Sequence, residues 1–218
     1  MLLMPLLLLA AAEADVIRET LDSAPQSPPW GWVREQRDAW RVQDGKLQIR
    51  ALHGTLWKAQ PNDAKNLLVR PWPAEAGEDA VVAITVRFSP ERGGEQAGVM
   101  FYLGDDDYIK IVRESLENKH WIVMAREERG AAQPMEKVEE TADEVTLYLV
   151  RHREQIEGSY TVAGKDKLKT VGRGALPRAT GAGDELKLCL FAHGGPPKGD
   201  EARWATFSDL KVSSVTKQ

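Results

Sequence analysis

Between Gly93 and Glu114 the sequence reads GGEQAGVMFYLGDDDYIKIVRE, and four of its side chains are equipped to act together: Gln96, Tyr102, Lys110 and Glu114. An amide, a phenol, an ammonium and a carboxylate supply donors and acceptors, the complement that fixes the hydroxyls of a polyol. With the two-residue period of a strand, Ala97, Val99, Phe101 and Leu103 fall on one side, and Gln96, Gly98, Met100 and Tyr102 on the other. Past the turn, Ile109 and Ile111 form one side, while Tyr108, Lys110, Val112 and Glu114 form the opposite one. The all-apolar side is expected to face a core between two sheets, leaving the mixed side to present the polar groups on one surface. Trp57 and Arg70, in GTLWKAQPNDAKNLLVR, are the candidates to join that surface from neighbouring strands, with Asn62 and Asn66 flanking the intervening loop. A Trp ring stacks on the apolar face of a sugar, so the candidate carbohydrate-binding set is Trp57, Arg70, Gln96, Tyr102, Lys110 and Glu114. Each has a structural alternative: Trp57 in the core, Arg70 paired with Glu114, Tyr102 packed beneath a loop.

Other chemistries find less support. A β-sandwich glucanase needs alternate carboxylates, E-x-D-x-E, on one strand, and no such run exists. Glu114 and Glu127 are the pair that an atypical glycosidase would have to use, and Lys110, Arg113 and Arg126 beside them argue for structural ion pairs instead. His53, His120, His152 and His193 lack metal-ligand spacing, and neither Ser159 nor Ser208 sits in a G-x-S-x-G elbow. No catalytic residue is assigned. The Gly-rich stretches GGPPKGD and GRGALPRATGAGD do not lead from a strand into a helix, so they read as loops rather than phosphate cradles. In GDDDY, Asp105 and Asp107 are weak candidates for a structural Ca²⁺, but consecutive side chains diverge and a solvated hairpin tip is the simpler reading. No other cofactor is expected.

The elements that must position these residues are strands. Short alternating runs recur along the chain, separated by turn residues: WRVQDGKLQIRA around Asp44-Gly45, then NLLVRP, AVVAITVRF, HWIVMARE, EVTLYLVRHRE, IEGSYTVA, ELKLCLFAH and WATFSDLKVSSV. Ten or more strands at this spacing predict an all-β sandwich or barrel in one domain over residues 30–218. The acidic PMEKVEETADE reads as a surface connection, and Cys189 as a buried free thiol. Residues 15–29, rich in Pro, read as a linker or lead-in segment, and residues 1–14 as an apolar leader with small residues at an A-x-A cleavage site but no basic n-region. A secreted or periplasmic protein is therefore expected, with no membrane span. The net charge of −4 over 218 residues, with basic and acidic residues interleaved, gives no electrostatic footprint for nucleic acid.

The hairpin stretch, with Q-A-G, Tyr, D-x-Y-I-K and Glu in order, resembles concanavalin A-like sandwich domains. More narrowly, it is similar to the C-terminal β-sandwich of bacterial β-xylosidases and to related stand-alone domains of unknown function. WRVQDGKLQIRA, GTLWKAQPNDAKNLLVRPWP, VVAITVRFSP, VTLYLVRHREQIEGSYTVAGK and WATFSDLKV extend the likeness from Trp30 to Val212. One departure is Leu168, which lies near the position where such domains often carry a Trp in a D-G-x-x-W turn. The resemblance implies a jelly-roll sandwich of two antiparallel sheets, non-catalytic, with glycan recognition on a concave sheet. It equally implies a structural module docked on a glycoside-active enzyme or a cell-surface protein.

Overall fold

In a computed structural model of the 218-residue chain, residues 12–57, 62–178, 185–197 and 201–216 are described. The strands in chain order are β1 (Ala12–Glu19), β2 (Gly31–Val33), β3 (Trp40–Gln43), β4 (Lys46–Arg50), β5 (Leu67–Pro71), β6 (Asp79–Arg87), β7 (Gln96–Gly104), β8 (Asp107–Leu116), β9 (Lys119–Glu128), β10 (Ala131–Glu139), β11 (Glu144–His152), β12 (Gln155–Val162), β13 (Lys169–Ala175), β14 (Lys187–His193) and β15 (Trp204–Thr216). They form two antiparallel sheets. One runs β13-β12-β11-β6-β15-β4-β3 with β1 added to β15, and the other runs β10-β9-β8-β7-β14-β5-β2. This is the predicted two-sheet sandwich. Among the described residues no helix is long and apolar enough to cross a membrane.

Turn chemistry sets several registers. Asp44 and Gly45 both take positive φ, 53° and 66°, as a two-residue hairpin turn between β3 and β4 requires, and Gln43 pairs with Lys46. Glu117 and Asn118 repeat the device between β8 and β9. At Asp209, also at positive φ, the ladder of β15 shifts. Before that irregularity β15 pairs with β4 and after it with β1, while β6 lies along its other side.

The inter-sheet core takes the apolar side of the hairpin as expected. Val99, Phe101, Ile109 and Ile111 are fully buried there with Leu47, Ile84, Leu147, Leu188 and Phe207. At one flank the edge strands β13 and β10 close on each other, where a Cβ added at Gly174 would stand 2.2 Å from Met135 Cε. The fully buried Arg113 also faces inward, donating from Nε to the Phe88 carbonyl at 2.6 Å and from Nη1 to the Glu140 carbonyl at 3.0 Å. It therefore lies on the face opposite Glu114.

Two segments differ from the sequence reading. Residues 15–29 are more than a linker, because β1 lies partly within them and pairs with β15, and Ile17 and Leu21 enter the core. Asp15 ties that pairing down by accepting from Ser213 Oγ at 3.1 Å and pairing with Lys211 at 2.9 Å. The apolar leader up to residue 11 lies outside the described residues. Residues 134–139 of the supposed acidic connection belong to β10, an edge strand on β9, with Pro134 placed where an edge tolerates a missing donor.

Phe101 fills the space between the layers and meets Trp72 edge to face at 5.2 Å between ring centroids. Phe101→Ala is expected to destabilise the domain by about 3–5 kcal/mol, read as a fall in the urea midpoint with an unchanged slope.

Candidate functional site

The mixed side of β7 and β8 does not face bulk water. It carries a second apolar cluster, with Met100, Tyr102, Tyr108, Val112, Val123, Ala125, Cys189 and Phe191 lying beneath Leu56 and Ala64. The last two belong to the segment between β4 and β5, whose described residues 51–57 and 62–66 fold over this face as a roof. Polar contacts anchor the roof: Asn66 Oδ1 accepts from the Gln36 amide at 2.6 Å, Asn62 Nδ2 donates to Asp106 Oδ1 at 2.8 Å, and Arg34 Nε donates to the Ala64 carbonyl at 2.6 Å. Asn62 and Asn66 therefore hold the loop. Beside this cover lies a groove.

That groove, of about 770 Å³, is lined by Trp57, Gln96, Lys110 and Glu114 together with His53, Asp63, Val123, Ala125 and Pro134. Gly54, Gly93, Gly94, Gly194 and Gly195 complete much of its wall. Two of these glycines are forced by close backbone packing. A Cβ at Gly194 would lie 1.9 Å from the Gly94 carbonyl oxygen, and one at Gly195 would lie 1.5 Å from that of Ala51. The wall is therefore backbone, presenting peptide groups rather than side chains.

Four of the six candidates converge here. Lys110 Nζ donates to Gln96 Oε1 at 2.6 Å, and Gln96 Nε2 donates to Glu114 Oε1 at 3.2 Å. The three side chains form a chain whose middle member fixes both ends. Gln96 faces Glu114 directly across the β7–β8 ladder, which makes the second contact a consequence of register. Lys110 Nζ also lies 5.2 Å from the centroid of the Trp57 ring and 5.6 Å from that of Tyr108, within cation–π range. Burial lowers the Lys110 ammonium pKa, while Glu114 and Glu127 oppose that shift; burial raises the Glu114 carboxyl pKa, against the pull of Lys110.

The other two candidates are elsewhere. Tyr102 packs under the roof, its hydroxyl donating to Asp105 Oδ1 at 2.7 Å. Burial, with Asp105 beside it, raises its pKa well above the ordinary phenol value. Arg70 is on the opposite face. Its Cα partner is Leu188, a residue of the inter-sheet core, so Arg70 points inward, pairs with Glu19 at 2.5 Å and lies over Trp30. Glu114 is not its partner. Arg70 leaves the candidate set for a stereochemical reason, since a strand residue cannot share a face with the residues that flank it.

The acidic turn also has its partners. Asp105 takes a two-pronged contact from Arg34, at 2.6 and 3.0 Å, in addition to the Tyr102 hydroxyl. Asp107 accepts the Arg129 amide at 2.9 Å. Among the described residues no group of three or more His, Cys, Asp or Glu gathers at metal-binding distance. Glu127 pairs across the ladder with Tyr108, six residues along β8 from Glu114, and accepts the Tyr108 hydroxyl at 2.9 Å. The two carboxylates have different partners, Gln96 for Glu114 and the Tyr108 hydroxyl for Glu127.

His193 belongs to this face and was not singled out from the sequence as a site residue. It is the Cα partner of Gln96, stacks on Phe191 with centroids 5.2 Å apart, and is 1% exposed with neither ring nitrogen hydrogen-bonded. The alternation of ELKLCLFAH placed it on the same side as Cys189 and Phe191, the signal that could have found it. Burial, and secondarily the Lys110 charge, lower its pKa well below 6.5, so the imidazole is neutral. Below pH 6.5 the unfolded chain takes up a proton that the folded chain refuses, and stability falls as pH falls. Relative to His193→Phe, the wild type is expected to lose up to about 1.4 kcal/mol per pH unit below that point, checked by urea unfolding from pH 7 to pH 5.

Comparison with known proteins gives this geometry a family. The model of the β-xylosidase C-terminal concanavalin A-like domain matches residues 18–179. Among solved structures, the family 43 glycoside hydrolase protein BlXynB of Bacillus licheniformis superposes with a TM-score of 0.76 at 20% identity, covering 89% of this chain and 38% of its own. Xylan β-1,4-xylosidase of Bacillus halodurans gives 0.75 at 15% identity, over 96% of this chain and 41% of its own. A functionally unknown protein from Saccharomyces cerevisiae gives 0.64 at 14%, over 87% of this chain and 98% of its own. The chain thus spans about two-fifths of the length of the bacterial proteins it matches. A sequence search of curated proteins finds no significant match. With more than half its length matched by the family model, the chain belongs to the β-xylosidase C-terminal concanavalin A-like domains.

Proposed function

We propose that this domain is a carbohydrate-binding module whose ligand enters the groove on the β7–β8 face. The observation that carries the reading is the Lys110–Gln96–Glu114 chain opening into a groove beside Trp57. Lys110 has three N–H donors and gives one of them to Gln96. A buried ammonium with spare donors is costly unless something accepts them, and a sugar hydroxyl does. The ring of Trp57, partly exposed at the groove, offers an apolar surface for a pyranose face. The solved family 43 relatives contain the matching fold within longer chains, which favours a setting beside a glycoside-active enzyme, in the same chain or as a docked partner. The apolar leader supports a location outside the cytoplasm.

A glycan array followed by calorimetric titration tests the proposal. Trp57→Ala and Lys110→Met are each expected to weaken the best glycan at least tenfold, with the thermal midpoint followed to separate binding from folding. A folded wild-type chain that binds no glycan, or variants that bind as well as wild type, would overturn it.

A further inference from the structure

Resting on the carbohydrate reading, we infer that the groove selects an uncharged sugar, held by a pair of adjacent hydroxyls that bridge Lys110 and Glu114, and rejects sugars that carry a carboxylate. The argument starts from what the bridged chain leaves unfilled. Lys110 keeps spare donors after its bond to Gln96, and Glu114 is an acceptor at the other end of the same amide. A ligand that satisfies both must accept at one end and donate at the other across the width of a single amide. Two neighbouring hydroxyls do this, because each is both donor and acceptor.

Charge narrows the class further. Lys110 and Glu114 together carry no net charge whether both are ionised or a proton has passed between them. Their opposed burial effects therefore do not alter the balance that a ligand meets. His193, close enough to Lys110 to sense its charge, adds none because it is neutral. Lys137, whose charge also reaches Glu114, is paired with Glu117 at 3.6 Å, and the remaining acidic groups press one way. Asp63 lines the groove with Oδ1 held by the Thr55 amide at 2.9 Å, and Glu127 lies near Lys110 beneath the Tyr108 hydroxyl. A uronate carboxylate that reached Lys110 would enter a desolvated space beside Glu114 and Asp63, where like charges interact strongly. An amino sugar that reached Glu114 would set its ammonium against that of Lys110. Only the uncharged ring meets donor and acceptor without opposing either.

The test compares oligosaccharides of one backbone in three forms: neutral, glucuronate-bearing and glucosamine-containing. Each is titrated calorimetrically into the full chain and into Glu114→Gln, which keeps an oxygen for Gln96 to donate to. Wild type is expected to bind the neutral form at least tenfold more tightly than the glucuronate form, and Glu114→Gln to narrow that gap to under threefold. Equal or tighter binding of either charged form by wild type overturns the inference while leaving carbohydrate binding intact. A gap unchanged in Glu114→Gln overturns the role given to Glu114. Failure of folded wild type to bind any of the three forms, or any glycan on an array, overturns the parent reading as well.

Discussion

Lys110 is 3% exposed and holds an ammonium in the middle of a sheet, and much of the surrounding face is arranged by that fact. An isolated charge so placed costs several kcal/mol, and Coulomb attraction repays it only where acceptors are held close in good geometry. Gln96 meets this requirement at 2.6 Å and is in turn oriented by its bond to Glu114, so the amide cannot flip without losing both ends of the chain. The rings of Trp57 and Tyr108 give the cation a second, softer environment. Remove the ammonium, and a buried amide and a buried carboxyl are left to satisfy each other.

Both faces of the β7–β8 hairpin are buried, and the sandwich has to supply two different covers. Sheet-on-sheet packing supplies the first, with Val99, Phe101, Ile109 and Ile111 against the other layer. The second cover is local. The segment between β4 and β5 folds over Met100, Cys189 and Phe191, pinned by Asn66, Asn62 and the Arg34–Asp105 pair. Beside this cover, Trp57 and the Lys110–Gln96–Glu114 chain line a groove. The same loop that stabilises the face thus shapes its opening, and the interlocked glycines at Gly94, Gly194 and Gly195 keep the opposing wall thin.

What the sequence disclosed follows the range of the interaction involved. The alternation of Gln96–Glu114 is a property of one hairpin joined by a short turn, and its inward side came out as expected, whereas the cover over the mixed side comes from the distant segment between β4 and β5. Arg70 was misplaced because its face depends on the pairing of β5 with Leu188 of β14, more than a hundred residues away in the chain, and nothing local reports that register. β1 was hidden for the same reason, as its partner β15 is at the far end of the sequence. β10 was read as a connection because an edge strand exposed along most of its length shows neither apolar alternation nor a shortage of charge. His193 obeyed the alternation of its strand, yet a lone imidazole in an apolar run gives no local sign that its nitrogens lack partners.

The site and the fold therefore divide their claims on the same strands. The two carboxylates that glycoside chemistry would have to use, Glu114 on β8 and Glu127 on β9, are each fixed by a neutral partner, one by Gln96 and one by Tyr108. A carboxyl that must accept or give a proton during a reaction needs a neighbour that responds to the change; a register-locked amide and a buried phenol hold it still. What remains is a rigid donor and a rigid acceptor a fixed distance apart, with a flat ring beside them. Under the carbohydrate reading, that rigidity is what would discriminate one pattern of hydroxyls from another.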